Sequence, residues 1–162
     1  MPSAKTRARA APPTVDLAAQ PGHLIRRLQQ IAVAVFLQET GVSALTPVQF
    51  AALQSVANQP GLDQRSLARL IGLDTSTVAG VIDRLEARAL LARSASDTDR
   101  RVRLLTLTPQ GAAALADVLP AMKRAQERIL SPLARADRRT FMRLLKTLVE
   151  SNNELSRAPT DV

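Results

Sequence analysis

Residues 64–85 read QRSLARLIGLDTSTVAGVIDRL, and the small and apolar positions in this stretch decide the fold. Asp63 is placed to cap one helix carrying Leu67, Ala68, Leu70 and Ile71. Gly72 breaks that helix, and a second runs from about Asp74 to Ala89. Two short helices then meet at one tight turn, the arrangement of a helix-turn-helix. Each position has a steric reason. A side chain larger than Ala68 pushes the helices apart, a Cβ at Gly72 strains the turn, and Val78 and Val81 anchor the second helix from beneath. With Val78, Val81, Ile82 and Leu85 inward, the outer face presents Thr75, Ser76, Thr77, Ala79, Gly80 and Arg84.

That outer face suits a DNA groove. Hydroxyls at a helix start can meet phosphates or base edges, and Arg84 can reach guanine or the backbone. Thr75, Ser76 and Thr77 are equally suited to capping their own helix, and the two roles can coexist.

Immediately downstream, Leu90–Arg93 and Val102–Thr108 read as two short strands around the polar stretch SASDTDRR, a hairpin with an exposed tip. Asp99, Arg100, Arg101 and Arg103 crowd this hairpin. An arginine on a narrow ribbon can enter the minor groove, and a neighbouring carboxylate can fix its rotamer. The alternative is a solvated loop holding a weak ion pair.

Upstream, Leu24, Leu28, Ile31, Val35 and Phe36 recur at helical spacing until Gly41, and Thr46-Pro47 opens a second helix through Ala57. Downstream, Thr108-Pro109 repeats the cap-then-proline signal and starts a long helix, interrupted or bent at Pro120 and ended near Ser131-Pro132. A last helix from about Asp137 carries Phe141, Leu144, Leu145, Leu148 and Leu155 on one stripe. The fold class is therefore mainly α with a small β-wing. A reading lobe spans about 46–108 within a domain of 22–156, and dimerisation helices lie at about 23–41 and 109–156. Residues 1–21 read as a disordered N-terminal tail and 157–162 as a C-terminal tail.

Composition narrows the function. The 162-residue chain carries 22 basic against 14 acidic residues, a net charge of +8, which points to a polyanionic partner. It has no cysteine and a single histidine, and GLDTSTVAG lacks the lysine of a phosphate-binding loop, so an enzyme, a metal centre or a bound cofactor is not expected. The longest apolar run, Ile31–Leu37, is far short of the roughly 20 residues of a membrane span, and no secretory signal is evident, so a cytoplasmic location is expected.

The helix order, the turn at Gly72, the segment TVAGVIDRLEARALLARSAS, and Asp99 and Arg101 leading into LLTLTPQG together resemble the MarR family of transcriptional regulators over about Leu24–Leu155. The resemblance implies that Arg101 enters the minor groove and Asp99 orients it. It further implies a dimer built from the first and last helices, with a small-molecule pocket between the dimer and reading lobes. Within the family, PGHLIRRLQQIAVAVF followed by LTPVQFAAL is most similar to regulators of aromatic-acid catabolism, including nicotinate-degradation repressors.

The sequence thus predicts a homodimeric, sequence-specific regulator of double-stranded DNA on a palindromic operator, a repressor released by a small aromatic carboxylate. A ligand-blind architectural or nucleoid protein is the alternative. His23, Arg26, Arg27 and Gln30 approximate one side of the first helix and form a candidate carboxylate grip, wedging the acid between the first and second helices; solvated side chains are the competing reading. The charge map adds a complication. Asp63–Arg103 holds eight basic and six acidic residues, whereas Pro120–Lys146 holds eight and two. The excess therefore serves a broad attractive field, a cavity or dimer seam, or a solvated face.

Overall fold

The computed structural model describes residues 14–41, 45–96, 102–156 and 158. Six helices and three short strands follow in the order α1 (Pro21–Thr40), α2 (Pro47–Asn58), β1 (Leu62–Asp63), α3 (Gln64–Leu70), α4 (Thr75–Ala87), β2 (Leu91–Ala95), β3 (Arg103–Leu107), α5 (Pro109–Leu130) and α6 (Arg135–Ser151). Local chemistry sets most starts. Thr46 and Gln49 form a reciprocal capping box on α2, and the Thr108 hydroxyl accepts from the Gly111 amide on α5. Proline stands at the first position of α1, α2 and α5, where its missing N–H is harmless.

The wing is a three-stranded antiparallel sheet in the order β1-β3-β2. Arg93 faces Leu105 and Ala95 faces Arg103 across the hairpin, while Leu62 pairs with Leu105 on the other edge of β3. The expected hairpin is thus present, with β1 added to it. Leu53, Val56, Leu67, Val78, Ile82, Leu85, Leu91 and Leu105 are fully buried and join α2, α3, α4 and the sheet around one core. Phe36 brings α1 to that core, its ring 6.0 Å from that of Phe50.

Three expectations need adjustment. Part of the expected tail is ordered: Leu17–Ala19 form a 3-10 turn whose Ala18 amide donates to Asp16, and α1 starts directly at Pro21. Pro120 does not interrupt α5, which runs unbroken to Leu130. Pro120 and the preceding-turn Ala116 both face solvent, while Leu115, Val118, Ala121 and Ala125 stay buried on the opposite side, so the lost backbone bond is on the wet face. Finally, α6 ends at Ser151, and Leu155 sits in a following 3-10 turn, 84% exposed.

The helices outside the reading lobe are fastened by charge as well as packing. Glu39 of α1 accepts from Arg124 Nε at 3.2 Å and Arg128 Nη1 at 3.1 Å on α5. Arg138 donates to the carbonyls of Leu133 and Ser131, closing the α5–α6 connection. Part of the C-terminal basic excess therefore has internal partners.

Candidate nucleic-acid interface

Recognition by a helix-turn-helix requires one helix held rigidly with its outer face free. Asp63 caps α3 by accepting from the Ser66 amide and hydroxyl, both at 2.9 Å. Gly72 takes φ +66°, the left-handed conformation that the turn requires. Ala68 is buried at the approach, and its carbonyl accepts from the Leu73 amide at 3.0 Å. Beyond the turn, Val78, Val81, Ile82 and Leu85 are buried while Thr75, Ser76, Thr77 and Arg84 are exposed. Of the outer face read from the sequence, these four are exposed, while Ala79 and Gly80 are half-buried.

The hydroxyls on that face are already engaged. Asp74 accepts from the Thr77 amide at 2.9 Å, from Thr77 Oγ1 at 2.7 Å and from Ser76 Oγ. The Ser76 hydroxyl, then the Thr77 hydroxyl and amide, hold the Asp74 carboxyl well below the usual carboxylate range. A hydroxyl that donates to Asp74 turns its lone pairs outward, so Ser76 and Thr77 present acceptors rather than donors. Acceptors suit the amino groups of adenine or cytosine better than a phosphate. Arg84 lies over Gly80: a Cβ built at Gly80 would be 3.5 Å from Arg84 Nη2.

The wing is tied to α4 by a residue that sequence reasoning missed. Arg93 of β2 forms ion pairs with Asp83 and with Glu86, the latter with Nε 3.1 Å from Oε2 but without hydrogen-bond alignment. Periodicity carries no sign of it, because the partners lie on different elements. Arg103 stands exposed at the start of β3. Asp99, Arg100 and Arg101 lie outside the described residues.

The candidate carboxylate grip falls on the N-terminal half of α1. His23 is half-buried, Arg26 Nη1 donates to Gln30 Oε1 at 3.3 Å, and Arg27 borders an apolar groove of about 540 Å³ between α1 and α6, lined by Leu24, Leu28, Phe141 and Leu145 among others. Within one chain, α1 meets α2 through Phe36, thirteen residues past His23 and about 20 Å along the helix axis. The four residues are therefore not gathered between α1 and α2 of the same chain. A second cavity, about 280 Å³, does lie between the helical and reading lobes, lined by Thr40, Leu45, Arg88, Ala114, Asp117, Val118 and Ala121. Arg88 there donates to the buried Gln49 at 3.4 Å.

Residues 45–102, from the start of α2 to the wing, match the model of the MarR family. The chain is 31% identical over 137 residues to the transcriptional repressor NicR of Pseudomonas putida, covering 85% of this chain and 87% of that protein. The chain belongs to the MarR family. Its MarR fold is similar to that of the regulator PcaV of Streptomyces coelicolor, solved with its natural ligand, at TM-score 0.79 and 36% identity over 85% of this chain and 97% of the other. It is also similar to Bordetella bronchiseptica BpsR, whose DNA binding is regulated by 6-hydroxynicotinic acid, at TM-score 0.74 and 37% identity over 78% of this chain and 96% of the other. The chain is accordingly a transcriptional regulator of MarR type, in which α4 is the second helix of the helix-turn-helix and β2-β3 the wing. No described helix is long and apolar enough to cross a membrane.

Proposed function

We propose that the protein is a homodimeric repressor that leaves its operator when a small aromatic carboxylic acid binds. The observation that carries the DNA half of this reading is the freely presented polar face of α4, with the wing held beside it by Arg93. Thr75, Ser76, Thr77 and Arg84 read the major groove, and Arg100, Arg101 and Arg103 serve the wing, with Asp99 orienting Arg101. The likeness to BpsR, whose DNA binding is regulated by 6-hydroxynicotinic acid, supports the ligand class.

The dimer follows from surface that one chain leaves uncovered. Leu24, Ile25, Ile31 and Leu37 on α1 and Met142, Leu144, Leu148 and Val149 on α6 are large, apolar and exposed. No residue of α6 is fully buried, and Phe141 and Leu145 are only half-buried. An amphipathic helix in that state calls for a partner, and a two-fold pairing of α1 and α6 supplies one.

Two sites offer an arginine to the acid, the second of them with Asp117 as well as Arg88 in its wall. The cluster of His23, Arg26, Arg27 and Gln30 sits at the edge of the seam. The 280 Å³ cavity with Arg88 is favoured by its position, since a ligand there touches both lobes and can alter the spacing of the recognition helices. Gel shifts on the upstream region of the protein's own gene, with and without a panel of aromatic carboxylates, test the function. Retarded DNA released by one of the acids is the expected result; sequence-indifferent, ligand-blind binding marks an architectural protein instead. Calorimetry separates the sites: heat lost in His23→Ala and Arg27→Ala but kept in Arg88→Ala assigns the seam, and the reverse assigns the cavity.

A further inference from the structure

We propose that Arg65 and Arg103 form a clamp for one operator phosphate, in the cleft between α3 and the wing. The proposal rests on the regulator reading above and adds a binding residue, Arg65, that neither the outer face of α4 nor the wing tip contains. A protein that places a helix in the major groove and a ribbon in the adjacent minor groove straddles the sugar-phosphate strand that separates them. We seat that strand in a polar cleft of about 370 Å³ between the start of α3 and the start of β3, lined by Asp63, Gln64, Arg65, Val102 and Arg103.

Two cations face one acid in the cleft, leaving a net positive charge. Asp63 stays ionised, but both its oxygens are turned to Ser66: Oδ1 accepts from the Ser66 amide and Oδ2 from the Ser66 hydroxyl. Arg65 and Arg103 are exposed, and among the described residues neither guanidinium has an ion-pair partner. Gln64 Nε2 donates to the Thr75 carbonyl at 3.1 Å, which fixes the cleft to the first residue of α4. A phosphate held here sets the depth and register of the recognition helix without reading a base.

Fluorescence anisotropy of a labelled upstream fragment, titrated at several KCl concentrations, tests the clamp with Arg65→Gln, Arg65→Lys and Arg103→Gln. With Arg65→Gln and Arg103→Gln combined, the slope of log affinity against log salt falls by about 0.9 for each phosphate no longer neutralised, close to 1.8 for a two-fold dimer, and each single variant gives part of that fall. The affinity drop is the same on a scrambled duplex, and Arg65→Lys restores most of the slope. A duplex carrying neutral methylphosphonates at single positions then shows one position per half-site that weakens the wild type more than either single variant and leaves the double variant unaffected. An unchanged salt slope in Arg65→Gln, or a loss confined to the operator sequence, overturns the clamp while leaving the regulator intact. A wild-type protein that shifts no duplex overturns both.

Discussion

Asp74 shows how one side chain sets the chemistry of the recognition face. Its carboxylate holds two hydroxyls and an amide, so it both caps α4 and turns Ser76 and Thr77 into acceptors. Asp74→Ala removes both effects and should lower the melting temperature and blur operator preference together. Asp74→Asn can still cap but must donate on one side, so it should retain most stability and still change which base is preferred. Comparing melting curves with binding to operators permuted at single base pairs checks this; loss of stability with unaltered preference would leave Asp74 a cap only. Arg101 belongs to the same scale. Arg101→Ala should weaken operator binding by about 1 to 3 kcal/mol and flatten its salt dependence with unchanged folding, as titrations at varied salt would show.

At the scale of elements, the joints matter more than the helices themselves. A Cβ on Gly111 would fall 1.9 Å from the Leu90 carbonyl oxygen, so α5 rests directly on the end of the recognition unit. Gly111→Ala should destabilise the fold by about 1 to 3 kcal/mol, measurable by urea unfolding. The Arg93 bridge joins wing to recognition helix. Arg93→Ala should cost several-fold in operator affinity with little change in far-ultraviolet circular dichroism, and the swap Asp83→Arg with Arg93→Asp should recover part of it. If the swap behaves no better than Arg93→Ala, the bridge does not position the wing. Most helix starts were legible in the sequence because Asp63, Thr46-Pro47 and Thr108-Pro109 are local signals; for α4 the capping role read for Thr75, Ser76 and Thr77 falls to Asp74. β1 was not, because two residues have no periodicity and Leu62–Asp63 become a strand only by pairing with β3. Arg93 was invisible for a related reason: ten residues and a change of element separate it from Asp83. The position of His23 relative to α2 was equally beyond a periodicity argument, since spacing along α1 does not say where the next helix lands.

For the whole molecule, acid stability and assembly follow from the same structure. Asp63 is destabilised by partial burial, yet the Ser66 amide and hydroxyl bring its carboxyl below the ordinary range; Arg124 and then Arg128 lower that of Glu39. A folded-state pKa below the unfolded value means stabilisation that is complete above about pH 4 to 5 and is lost as pH falls through the folded value. Glu39→Gln should therefore weaken the acid dependence of unfolding below about pH 4, read from urea midpoints across pH. An unchanged acid limb would mean that the Glu39 pairs are too exposed to matter. Assembly is the larger claim, because the apolar faces of α1 and α6 require a partner and an operator reader of this type requires two heads. The central claim joins these faces to ligand release, and it is tested most directly by titrating the dimer, sized by light scattering, onto its upstream DNA with and without a small aromatic carboxylate such as 6-hydroxynicotinate. The account predicts a dimer that binds a palindromic site and loses affinity five- to about a hundred-fold with an effective acid, a coupling of about 1 to 3 kcal/mol. A monomer at micromolar concentration, or a dimer whose operator affinity no such acid changes, would contradict it.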